Sequence, residues 1–153
     1  MNKYMFDTNI YNHILDGSIT IESHKGKADF YATHVQIDEL RKTKDSERKK
    51  VLLEIFNQFV EPTDLISTET PIWDVSVWDG CKWNDDTRLY ESIKTSLDSL
   101  NKNKSNNIQD ALIADTAIKN NIILVTHDSN LYMVATKHKC LCVNLFMVLK
   151  DIE

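Results

Sequence analysis

Apolar residues fall in short blocks along the chain, and their spacing switches repeatedly between the periods of strand and helix. Residues 3–6 read as a strand that ends on a carboxylate, in the stretch KYMFDTNI. A helix through Ile10, Ile14 and Leu15 follows and stops near Gly17. Residues 28–33 read as a second short strand, and Val35, Ile37 and Leu40 place a short helix over residues 34–42. The clearest amphipathic element covers residues 46–60, where Val51, Leu52, Ile55, Phe56 and Phe59 form one stripe at helical period. Ser46 suits its N-cap, and Pro62 follows its end. Residues 64–67 are a further candidate strand.

The second half repeats the alternation. Residues 85–100 read as a helix through Leu89, Ile93, Leu97 and Leu100, followed by the polar loop NKNKSNN. The stretch IQDALIADTAIKNN is helical and leads into IILVT, in which residues 122–125 are nearly all apolar. Such a run predicts a strand buried on both faces, as in a parallel sheet. A helix from about Asn130, a last strand over residues 140–143 and a short C-terminal helix complete the chain. Strands alternating with helices predict an α/β sandwich around a mainly parallel sheet, in one domain without internal repeats.

Length and composition narrow the picture. A chain of 153 residues can bury a real core, and 42% hydrophobic with 27% charged residues is ordinary globular usage. No apolar run approaches the roughly 18 residues that span a bilayer. The N-terminus MNKYMFDTN lacks the features of a secretion signal, so a cytoplasmic location is expected. Cys81, Cys140 and Cys142 cannot all pair and lack zinc-site spacing, which predicts reduced structural thiols. The net charge of −5 argues against a broad basic face for nucleic acid. It leaves room for a nucleic-acid enzyme, because divalent ions can balance clustered carboxylates.

Sites in open parallel sheets form outside the carboxyl ends of the strands. Asp7 closes the first strand and Asp128 follows the buried run in LVTHD. Asp110 opens the helix that feeds that strand, and Glu39 lies on the short helix after the second one. Two acids at strand ends and two on helices suit a hard cation such as magnesium or manganese, which prefers oxygen ligands.

In four motifs the chain resembles the PIN-domain family, the metal-dependent ribonuclease fold of many bacterial toxin–antitoxin toxins. They are FDTN from Phe6, DEL from Asp38, NNIQDALIADTA from Asn106 and LVTHD from Leu124. Each motif alone is common; their order and placement together are specific. The resemblance implies a three-layer α/β/α sandwich and a catalytic, metal-binding quartet of Asp7, Glu39, Asp110 and Asp128 with Mg2+ or Mn2+. It sets Asn9 beside the first acid and Thr126 as a supporting group that orients water near the metal. It further implies an RNA substrate cut to 3′-hydroxyl and 5′-phosphate ends, an antitoxin protein as partner, and a homodimer. The middle of this chain is longer than the toxin pattern.

Simpler readings stand beside these. Asp7 and Asp110 suit helix N-caps, and THDSN around Asp128 suits a turn. Asp38 competes with Glu39, since helix neighbours point about 100° apart. Asp115 lies about 140° around the helix from Asp110, either solvated or at the metal's periphery, and stays outside the site. His127 should point away from both its strand-end neighbours, which favours a surface or core role over a general base. Trp73, Trp78 and Trp83 recur at a period of neither helix nor strand; packing or a partner interface is favoured over stacking on RNA bases. The run ERKK from Glu47 reads as a solvated face rather than a phosphate clamp.

The reading that results is a metal-dependent endoribonuclease, with the toxin of a toxin–antitoxin pair as its biological setting. An aspartyl-nucleophile phosphatase ranks low, because Asn9 occupies the place of its second acid. The remaining alternative is a non-catalytic module that keeps the fold and binds RNA or protein. For an antitoxin peptide, the amphipathic helix over residues 46–60 is a candidate docking surface.

Overall fold

The computed structural model of the chain describes residues 1–21, 24–68, 88–102 and 104–153. The elements run in the order β1 (Asn2–Phe6), α1 (Thr8–Asp16), β2 (Ala28–Tyr31), α2 (His34–Arg41), α3 (Ser46–Phe59), α4 (Arg88–Asn101), α5 (Asn107–Lys119), β3 (Ile123–Val125), α6 (Ser129–Lys137), β4 (Cys142–Val143) and α7 (Leu145–Ile152). The strands form one sheet in the order β2-β1-β3-β4, and every pairing is parallel. Tyr4 aligns with Phe30 on one side and Ile123 on the other, which fixes β1 and β3 as the central pair.

Side chains alternate across the sheet and separate two cores. Tyr4 and Phe6 of β1 and Val125 of β3 face a layer built by α1, α3 and α7. Met5 and Leu124 face the opposite layer of α4, α5 and α6. The result is an α/β/α sandwich. Its first core is aromatic: Phe6 meets Phe59 at 5.1 Å and Phe30 at 5.2 Å, both edge-on. Burying each such ring stabilises the fold by about 1.5–3 kcal/mol.

Local chemistry explains most element boundaries and several departures from expectation. Thr33 and Gln36 form a capping box at the start of α2. α3 is capped by Asp45, whose Oδ1 accepts the Arg48 N–H at 3.0 Å, and not by the adjacent Ser46. A carboxylate one residue earlier meets the same free N–H groups and adds charge favourable to the helix N-terminus. The apolar stripe of α3 is inside the core, with Leu52, Ile55, Phe56 and Phe59 all buried. It therefore offers no docking face to a partner. Arg48 of the ERKK run forks onto Asp16 (2.8 and 3.1 Å) and also donates to Asn12 at 2.8 Å, so it ties α3 to α1.

Residues 64–67 do not form a strand. Pro62–Asp64 make a turn of 3₁₀ helix, and Leu65 makes a single parallel bridge to Ala32. Pairing ends there because Thr33, the next residue, already caps α2. α5 is buried on nearly all sides, from Ala111 through Ala117, so it shows no apolar stripe. Trp73, Trp78, Trp83 and Cys81, with the start of the helix expected from residue 85, lie outside the described residues. Cys140 and Cys142 are free thiols. Among the described residues no helix is long and apolar enough to cross a membrane.

From β1 the chain crosses to β2 on one side, while β3 and β4 lie on the other. The central β1–β3 pair is thus the point where the connections diverge, and a crevice opens beyond its carboxyl ends.

Candidate active site

Both strand-end acids stand at that crevice. Asp7 follows the last residue of β1, and its N–H is held by the Val125 carbonyl at 2.9 Å. It occupies the N-cap position of α1, yet its carboxylate makes no capping hydrogen bond. Instead Oδ2 accepts a hydrogen bond from Thr126 Oγ1 at 3.0 Å. The same Thr126 oxygen accepts the Asp128 N–H at 3.0 Å. One hydroxyl thus joins the two strand ends. Its hydrogen is committed to Asp7, so Thr126 acts by orienting that carboxylate.

Asp128 is a genuine cap. Its Oδ1 accepts the N–H groups of Asn130 (2.9 Å) and Leu131 (3.1 Å) at the start of α6. Both bonds fall on one oxygen, so capping and a further role at Oδ2 are compatible. Asp110 does not cap its helix, because Asn106 holds the N-cap position of α5. It sits one turn further in, where its side chain is buried.

Glu39 is brought to the site by the last turn of α2. Its Oε1 accepts a hydrogen bond from Thr8 Oγ1 at 2.9 Å. Asp38 points elsewhere, with Arg41 at 3.9 Å as its ion partner on an exposed surface. The Thr8 contact is one that the sequence reading missed. The resemblance in FDTN points to Asn9, but Asn9 is exposed on the first turn of α1, whereas Thr8 is buried. The signal was present in the motif, since both residues are small and polar and only one can face inward.

Electrostatics unite the four acids. Burial pushes Asp7 up to about 6, with the Asp128 charge adding to it and the Thr126 hydrogen bond opposing it. Burial likewise pushes Glu39 up to about 7, with Asp7 adding to it against the Thr8 bond. Asp110 is raised furthest, to about 8, by burial and then by the charges of Asp7, Glu39 and Asp128. Two exposed cations moderate the cluster: Lys42 draws Glu39 down, and Lys104 draws Asp110 down. Carboxylates so placed hold their charge poorly until a cation joins them.

The donor set suits a hard divalent ion, being all oxygen and anionic. Among the described residues no three His, Cys, Asp or Glu groups are close enough, as they stand, to hold one ion. The chemistry of the set fits such an ion, and burial with mutual repulsion is what raises the three carboxyl pKa values.

Asp115 belongs to the other side of α5. It is fully buried, with Lys119 at 3.0 Å, and its charge is felt by Tyr90 of α4. It is therefore neither solvated nor peripheral to the cleft. His127 points away from the acids. Its Nε2 accepts the Leu145 N–H at 3.0 Å, fastening the end of β3 to the start of α7. That bond leaves no general-base role for this nitrogen.

Comparison with protein-family models finds no match, and comparison with curated proteins finds none. Solved structures do match. A chain of VapBC2 from Rickettsia felis, solved bound to a DNA fragment from their promoter, is 21% identical with a TM-score of 0.58. The likeness covers 93% of this chain and 98% of that one. A chain of VapBC-1 from nontypeable Haemophilus influenzae is 17% identical with a TM-score of 0.54, covering 93% of this chain and 97% of that one. The chain has the PIN-domain fold.

Proposed function

We propose that the protein is a metal-dependent endoribonuclease whose site is formed by Asp7, Glu39, Asp110 and Asp128. What supports this reading is the charge coupling of Asp7, Glu39, Asp110 and Asp128, three of them with raised pKa values, with Asp7 and Asp128 at the ends of the central β1–β3 pair. All four would hold Mg2+ or Mn2+. The chemistry that such an ion supplies is activation of water and neutralisation of charge on the leaving oxygen. The chain's own residues orient the ligands: Thr126 holds Asp7, Thr8 holds Glu39, and the N-terminus of α6 holds Asp128. Lys42 and Lys104, exposed beside the acids, offer positive charge to the phosphates that flank the scissile bond.

The structural neighbours are chains of VapBC assemblies, and that supports an antitoxin partner for this chain, with the toxin role that follows from it. The open spacing of the acids favours one alternative, a non-catalytic module that binds RNA or protein. Cleavage of labelled single-stranded RNA by purified protein, with manganese and with chelator, separates the two. Metal-dependent cutting by wild type that Asp7→Asn and Asp110→Asn each abolish supports the nuclease. Cutting that survives both substitutions refutes it.

A further inference from the structure

Beside the carboxylates lies a cavity of about 780 Å³ that the catalytic reading does not use. Thr126 and Asp128 form its edge nearest the acids, so cavity and cleft are continuous. Its walls carry an exposed apolar patch of Phe146 (67% exposed) and Met147 of α7 with Tyr132 (45%) and Met133 of α6. Four large apolar side chains left open around one cavity mark a contact surface, where a single exposed one would not.

Phe146 is nevertheless held in place. Its ring stacks on His127 at 5.9 Å and 21°, and His127 is itself packed on His13 at 4.6 Å. The Leu145 N–H bond to His127 Nε2 fixes that imidazole from the α7 side. Polar groups share the same walls. Asn144 engages its side-chain oxygen with the Met147 N–H at 3.0 Å, which leaves its amide NH2 as a donor.

We propose that this cavity is a nucleobase subsite, in which Phe146 and Tyr132 stack on a base of the RNA strand whose backbone lies over the carboxylates. The inference rests on the RNA reading above and deepens it. A base has two π faces and a polar edge, and the cavity offers ring faces and polar groups in the same small volume. A purely apolar partner would leave the Asn144 amide without a bond, and a purely anionic one would gain nothing from the rings. Stacking of this kind tolerates any base, so the subsite contributes affinity and register more than sequence preference.

The test is binding of two fluorescent ten-nucleotide probes, oligouridine and an abasic ribose strand with the same phosphates, in calcium to permit binding without cutting. Wild type is expected to prefer oligouridine. Phe146→Ala should weaken oligouridine binding about 5- to 100-fold while barely affecting the abasic strand, and Phe146→Trp should restore the preference. Equal binding of both probes by wild type, or no change in Phe146→Ala, overturns the subsite. So does a Phe146→Ala variant whose only change is a lower solution mass, since the ring would then seat a second copy of the chain. A base preference in a protein that never cuts RNA with manganese removes the nuclease reading and leaves the subsite standing.

Discussion

Replacing Asp110 by Asn should stabilise the protein in the absence of metal. Asp110 is almost fully buried, and its pKa is pushed up to about 8 by burial and by Asp7, Glu39 and Asp128. Its folded pKa therefore lies above its unfolded value of about 3.9. A group shifted in that direction contributes stability that is fully present below the unfolded pKa and is lost as pH rises through the folded one. Each unit between about 4 and 8 corresponds to about 1.4 kcal/mol. The proton is shared with neighbouring acids, so a single neutral amide relieves part of this, on the order of 1–3 kcal/mol at pH 7.5. For a chain of this size that raises Tm by about 2–4 °C per kcal/mol. Urea and thermal unfolding with chelator present measure it, and the gap between variant and wild type should narrow at pH 5. Manganese should raise the Tm of wild type and leave that of the variant nearly unchanged. A variant less stable than wild type by 1 kcal/mol or more at pH 7.5 in chelator refutes the electrostatic argument.

Other substitutions probe neighbouring links. Thr126→Val removes the donor to Asp7 and the acceptor for the Asp128 N–H; it should lower stability by about 1–3 kcal/mol in urea unfolding. The same variant should bind manganese about 10- to 100-fold more weakly by calorimetry, as expected when an oriented ligand loses its support. Phe59→Ala, deep in the aromatic core, should reduce stability by about 3–5 kcal/mol, read as a lower denaturation midpoint. Lys42→Ala and Lys104→Ala should each lower the salt dependence of single-stranded RNA binding, by about 0.7 in the log–log slope, if each meets one phosphate.

The candidate site was legible where an acid ends a strand. Asp7 and Asp128 could be placed because the runs before them are short, apolar and followed by small polar residues, and the β1–β3 pairing brings them together. Glu39 and Asp38 could not be separated by periodicity alone on so short a helix; the Thr8 hydroxyl and the Arg41 ion pair distinguish them. Asp115 defeated the pattern for a different reason. α5 is enclosed on nearly all sides, so its sequence carries no polar face against which a buried acid would stand out. The α3 stripe is amphipathic as its spacing predicts, but amphipathicity does not say whether a face meets the core or a partner, and here it meets the core. The N-cap of α3 lies one residue before the Ser46 the sequence suggests, because Asp45 and Ser46 are both good caps and only backbone angles decide between them.

The central claim is that four carboxylates from four separate elements form one divalent-cation site. The direct measurement is a calorimetric titration of manganese into wild type and into Asp7→Asn, Glu39→Gln, Asp110→Asn and Asp128→Asn. The account predicts saturable binding by wild type that every single substitution weakens at least tenfold. Binding that is absent in wild type, or that survives all four substitutions unchanged, contradicts it.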